Sequence, residues 1–202
     1  MNINKGENWG VSAPLPSDGL IVRNNKQLLE EITIHKRNGK RLPVFGLLGG
    51  DLWRTLGGRL EENRLYGENA ITVDVDLGCV LLDGKIHWFC AHMLIGGKCI
   101  GEQIFISNGA HYGKMNPTPK AHPGDGKFDV LKVDLSVIQK IKALKRITSG
   151  THIPHPGIQY ERIKAEQFSF SKKIKVEIDG QKIGKFSNIS VRIENEAIRV
   201  VI

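Results

Sequence analysis

The chain has no apolar run approaching the roughly 18 residues that a membrane-crossing helix needs, so a helical span is not expected. Its start, Met1-Asn2-Ile3-Asn4-Lys5, lacks the apolar block of a signal peptide. Cysteine is scarce. Cys79, Cys90 and Cys99 are odd in number and show no Cys-x-x-Cys spacing, which argues against a disulfide framework and against a zinc finger. These absences predict a reduced, cytoplasmic protein. No Gly-x-Ser-x-Gly elbow supports a serine hydrolase. Internal repeats and low-complexity segments are also missing.

What remains is ordinary globular material: 202 residues, 40% apolar and 25% charged, enough for one domain or one and a half. The formal net charge of +8 favours an anionic partner such as nucleic acid, a nucleotide, a phosphorylated substrate or an acidic membrane surface. Nucleic acid rests on charge alone and comes last. The clearest basic cluster is Lys140, Lys142, Lys145 and Arg146, which reads first as the solvated face of a helix.

Residues 1–19 carry Pro14, Pro16 and Gly19 and predict an irregular lead-in. Leu20-Ile21-Val22 is a short strand candidate. A helix follows from Asn24 or Asn25, with Gln27 placed as in a capping box and Leu28, Leu29 and Ile32 on one face. Pro43-Val44-Phe45-Gly46-Leu47-Leu48 is an apolar run bounded by breakers, as in a buried parallel strand. It leads into Gly49-Gly50-Asp51-Leu52-Trp53-Arg54. The pattern is a piece of an α/β layer.

From residue 69 the pattern turns to alternation. Ile71, Val73 and Val75 alternate with polar residues, and Asp83-Gly84 between apolar runs signals a hairpin. Residues 102–108 and 128–133 read as further strands, and so does the tail from Gln167. One helix interrupts them, capped by Ser136 with Gln139 three residues later. Val137, Ile138, Ile141, Leu144 and Ile147 are predicted to be its buried face. The expected architecture is α+β, mainly β: a short α/β segment over residues 1–68, then a β-sandwich over residues 69–202.

Several residue sets carry chemistry. His152 and His155, with His111 or His122, offer imidazoles for zinc, but Pro154 and Pro156 spoil a helical ligand spacing. The cysteines, Trp53, Trp88 and Phe89 read as core. The more specific signal is an ordered series. Asn108-Gly109 is followed by Pro123-Gly124-Asp125-Gly126-Lys127-Phe128-Asp129-Val130, a helix, Gly150-Thr151-His152, and finally Asp179-Gly180-Gln181. This order resembles the C-terminal domain of the diacylglycerol kinase and sphingosine kinase-like lipid kinases, which share a superfamily with NAD kinase. Upstream, Asp51-Leu52-Trp53-Arg54-Thr55-Leu56-Gly57 resembles that family's "GTxNDFARTLG" stretch.

The resemblance implies a β-sandwich of the diacylglycerol kinase type behind a truncated nucleotide-binding segment. It implies transfer of the ATP γ-phosphoryl to a lipid hydroxyl with Mg²⁺. Asp125 would hold the metal with backbone oxygens of His122 and Lys127, since Mg²⁺ takes hard oxygen ligands. Asp51, Arg54, Asn108 and Gly109 would line the cleft. Asp179 and Gln181 would form the catalytic turn facing the acceptor. Three departures bear on activity, one being the short path from Trp88 to Gly101, where the family usually inserts helices and a hairpin that help bound the lipid cleft. The family carries Glu where this chain has Gln181, and an amide cannot take up the acceptor's proton. The family's Gly-Gly-Asp-Gly-Thr loop is represented only by Ser17-Asp18-Gly19-Leu20. The sequence therefore allows a kinase with reduced or lost activity. It also allows a non-catalytic module for an anionic ligand, a membrane surface in peripheral contact or a protein partner, a second copy included, or a half-enzyme that gains its missing nucleotide lobe from a second chain.

Overall fold

The computed structural model describes residues 9–97 and 103–202. The chain opens with β1 (Val11–Ser12), β2 (Leu20–Val22), α1 (Asn25–Arg37), β3 (Phe45–Leu47) and the short α2 (Asp51–Thr55). One 3-10 turn, Glu62–Tyr66, lies between α2 and the next strand. Then follow β4 (Ile71–Leu82), β5 (Lys85–Phe89), β6 (His92–Ile95), β7 (Gln103–Ser107) and β8 (Phe128–Val133). Helix α3 (Val137–Ile147) precedes β9 (Ile158–Ile163), β10 (Ala165–Ile178) and β11 (Gln181–Val201). The N-terminal signal-peptide reading and Cys99 fall outside the described residues. Among those described, no helix is long and apolar enough to cross a membrane.

The strands share one hydrogen-bonded sheet in the order β1-β4-β11-β10-β6-β7-β8-β9, with β5 on β4 and the β2-β3 pair joined to β11. The architecture is mainly β with a short α/β lead, as the alternation predicts. Strand β3 runs parallel to β2 and to β11, with Phe45 beside Val200. The other pairings are antiparallel. One apolar cluster takes Val22, Leu28, Ile32, Phe45 and Leu52 from the first segment and Val73, Phe89, Met93, Ile178 and Val200 from the second. The described part of the first segment, residues 9–68, thus shares both hydrogen bonds and core with the strands that follow.

Local chemistry explains the elements. The Asn24 side chain accepts the Gln27 amide at the start of α1, and Leu28, Leu29 and Ile32 face inward. Gln27 reaches back to the Arg23 amide rather than to Asn24. Asp83 and Gly84 both have positive φ, 43° and 86°, as a two-residue hairpin turn of that twist requires. The runs Ile189/Val191/Ile193 and Ile198/Val200 are halves of one strand, β11. Between Glu194 and Ile198 its register on β4 shifts, and Glu196 sits at φ 48°.

One sequence expectation is reversed. The capping box of α3 forms as predicted, yet no residue of α3 is buried. Val137, Ile138, Ile141 and Leu144 are exposed. The helical period placed these side chains on one face but could not say which way that face points.

Candidate functional site

The site residues collect where the first turns of α1 and α2 meet the start of β6 and the loop after β7. Asp51 is the hub. Its backbone N–H donates to Asn25 Oδ1 at 2.7 Å, and Asn25 Nδ2 donates to Asp51 Oδ2 at 2.8 Å. The other carboxylate oxygen accepts the Gly113 N–H at 2.7 Å. Gly50 makes this junction possible at φ 98°, where a Cβ would stand 2.3 Å from Asn25 Oδ1.

His92 faces this hub. Its side chain is 1% exposed, and Nδ1 lies 3.6 Å from Asp51 Oδ2. Among the described residues neither ring nitrogen has a hydrogen-bond partner, which is unusual for a buried imidazole. The ring stacks on Phe105 at 5.7 Å and meets the edge of Tyr112 at 4.5 Å. Tyr112 Oη donates to Glu177 Oε1 at 3.1 Å. Neither His92 nor Asn25 stood out as functional in the sequence. The available signal was a histidine inside the apolar run Phe89–Ile95, a polar group where packing disfavours one.

Asp179 reaches the same hub from the opposite side. Its carboxylate accepts the amides of Cys90, Ala91 and His92 at 2.8, 2.9 and 2.9 Å and the Cys90 thiol at 3.2 Å. Burial, with the Asp179 charge beside it, pushes the Cys90 thiol well above its ordinary range. Asn108 secures the same segment. Its amide donates to the carbonyls of Asp76 and Cys90, and its backbone N–H to Ala91. Gly109 lies against Thr55, whose hydroxyl bonds back to the Asp51 carbonyl. Arg54 is exposed on α2, and its charge together with burial lowers the His111 pKa, burial acting first. Asp51, Asn108, Gly109 and Asp179 are therefore one connected set.

Gln181 sits elsewhere. It lines a cavity of about 270 Å³ between α1 and the β5 side of the sheet, with Glu30, Arg37, His87 and Trp88. The Asp125 loop is a third location. Asp125 caps the Lys127 amide and is ion-paired to the Arg162 guanidinium. The His122 carbonyl accepts the Asp125 amide at 3.4 Å, and the His122 ring packs 4.4 Å from Trp9. The buried Asp76 ties this loop to the rest by accepting the Gly126 and Glu196 amides. Asp129 is fully buried beside Tyr160, which donates to it, and beside Arg162. Burial raises its pKa to about 6.

The fit of the implied Mg²⁺ and ATP can be judged on these contacts. Asp125, the one carboxylate of the proposed ligand set, already has a cation in Arg162. Among the described residues no group of three or more His, Cys, Asp or Glu side chains is placed to hold a metal, zinc included. The Asp51 amide, at the head of the β3–α2 turn, is used by Asn25. The residues of the implied metal loop do not fit the metal in this arrangement.

A cavity of about 230 Å³ does fit an apolar ligand. It lies between α3 and the outward face of β6–β9, lined by Leu94, Phe105, Leu131, Val133, Ala143, Leu144 and Ile158, with Tyr112 and His152 supplying polar atoms. His152 Nε2 is 3.0 Å from the Pro117 carbonyl, and burial lowers its pKa. Tyr112 and Phe105 connect the cavity to His92, and through it to Asp51. The arrangement can hold an aliphatic chain and meet a hydroxyl at one end.

Residues 82–202 match the family described as the YegS C-terminal NAD kinase beta sandwich-like domain. No curated protein matches the sequence. A solved structure of a candidate diacylglycerol kinase from Bacillus anthracis str. Sterne has a TM-score of 0.72 at 14% identity, covering 91% of this chain and 77% of that one. A second diacylglycerol kinase structure from the same organism has a TM-score of 0.63, also at 14% identity, covering 91% and 75%. At such identities the likeness shows the fold.

Proposed function

We propose that this chain, which belongs to the family of the YegS C-terminal NAD kinase beta sandwich-like domain, is a lipid-kinase-related protein that binds a lipid bearing a free hydroxyl. The apolar part of a diacylglycerol-like or sphingoid-like molecule occupies the cavity under α3, and the hydroxyl points toward Tyr112 and His92. The single observation that carries this reading is the cavity itself, almost wholly apolar and joined at one end to the polar hub.

ATP- and Mg²⁺-dependent phosphoryl transfer to that hydroxyl is the reaction that the family and its structural neighbours favour. This chain's residues favour reduced or lost transfer. Gln181 cannot accept a proton, Asp179 is spent on three amides, and Asp125 is paired with Arg162. Binding is therefore retained and chemistry is weak or absent. The test incubates the protein with a total lipid extract, repurifies it and identifies the bound lipid by mass spectrometry. A parallel sample receives Mg-ATP labelled at the γ-phosphate. Lipid carried by the parent, with little or no label transferred, is expected. A protein that repurifies without lipid contradicts the proposal.

A further inference from the structure

The cavity of about 270 Å³ between α1 and the β5 side of the sheet shares no lining residue with the cavity under α3. Its walls are apolar: Leu29 and Ile34 from α1, Trp88 from β5, and Ile178 and Ile183 on either side of the β10–β11 turn. A cavity of about 150 Å³ already holds a benzene ring, so this one has room for a ring and a short substituent. Its polar groups are mostly donors that the fold leaves unused. The Trp88 indole N–H is buried without an acceptor among the described residues, against the usual pairing of buried donors. Among the same residues the Arg37 guanidinium, exposed on the last turn of α1, has no hydrogen bond or ion pair. The Gln181 amide and the His87 ring are likewise unbonded. Glu30, the one acidic side chain among the described lining residues, lies 3.7 Å from Lys26. Burial lowers the His87 pKa, and the charges of Arg37 and Lys85 lower it further, so positive charge gathers here.

We infer that this cavity binds a small organic monocarboxylate, with its ring or branched chain against Trp88 and the aliphatic walls and its carboxylate on the Arg37 guanidinium. A guanidinium fork takes both oxygens of a carboxylate at once. The Trp88 indole and the Gln181 amide line the same space and can donate to that group. Gln181, which cannot take up a proton, can thus hold an anion. An apolar guest without charge would fill the walls and leave the donors unanswered. A phosphate dianion would find one guanidinium and the Glu30 carboxylate, too little positive charge to replace its lost water. The argument stands on this cavity alone and not on the lipid-binding proposal.

The test is calorimetric titration of the full chain with benzoate, and with benzamide as its uncharged counterpart. Benzoate is expected to bind saturably and to move the Trp88 indole N–H resonance, assigned with Trp88→Phe. The charged side chains around His87 are Arg37, Lys85 and, across the cavity, Glu30. A bound carboxylate offsets the two cations, so the His87 pKa followed by NMR should rise. Benzamide should bind at least about tenfold more weakly. Arg37→Met keeps the apolar stem and should weaken benzoate about tenfold, with urea unfolding little changed because the side chain is exposed. Lys40→Met removes a cation outside this cavity and should bind as the parent does. No saturable binding of benzoate up to about 10 mM overturns the inference. So does an Arg37→Met variant that binds like the parent, or benzamide that binds as well as benzoate. Phenyl phosphate binding more tightly than benzoate would overturn it too, by assigning the cavity to phosphate esters. With no lipid in the titration, failure here leaves the cavity under α3 and its proposed ligand standing.

Discussion

Asp179 has the chemistry of a base and the environment of a strut. A buried carboxylate that receives three backbone amides fixes the path of Cys90, Ala91 and His92, and so the position of the imidazole beside Asp51. Asp179→Ala leaves three donors buried without an acceptor and should cost about 3 kcal/mol or more in urea unfolding. Asp179→Asn keeps the shape and should cost less. Asp129 gives the reverse case, a carboxylate that burial holds protonated up to about pH 6. Its folded pKa lies above the unfolded value, so its contribution is full below about pH 4 and is lost as pH rises through 6. Relative to Asp129→Asn, the parent should therefore lose on the order of 2–3 kcal/mol of stability between pH 4 and 7, read from denaturant midpoints. Much at this scale was legible. The order of Asn108, Asp125 and Asp179 named the family, because turn and cap residues leave a mark in sequence. The partners did not. Arg162 lies 37 residues from the aspartate it neutralises, and His92 lies 41 residues from Asp51, distances at which a sequence carries no pairing signal.

Among the elements, those with a strong local period were readable. Helix α1, the parallel strand β3 and the Asp83-Gly84 hairpin all form where periodicity and turn chemistry place them. β9 escaped, since Ile158–Ile163 shows aliphatic residues only at its ends. In β11 the polar Glu194-Asn195-Glu196 interrupts the alternation without ending the strand, since the chain only sidesteps there and resumes pairing with β4. Strand β3 bears on whether residues 69–202 stand alone as a domain. It hydrogen-bonds to β11, and Phe45 is wholly buried in the shared cluster. A fragment of residues 69–202 should therefore expose the Val73, Val75 and Val200 face and fail to give a cooperative melt. Phe45→Ala in the full chain should cost about 3–5 kcal/mol by the same chemical denaturation.

The whole molecule joins a basic, lipid-kinase-type β fold to an apolar cavity that opens under an amphipathic helix. What is thin is the nucleotide side, where the β3–α2 turn spends its leading amide on Asn25 and the aspartate of the implied metal loop is paired with arginine. Lipid in the cavity under α3 is the property on which the proposed function of this protein depends. The most direct measurement is equilibrium binding of a short-chain diacylglycerol to the parent and to Ala143→Trp, which fills the cavity from α3. Saturable binding by the parent, weakened at least about tenfold in a variant that melts normally, is the predicted result. A parent that binds none, or a variant that binds as tightly as the parent, would contradict it.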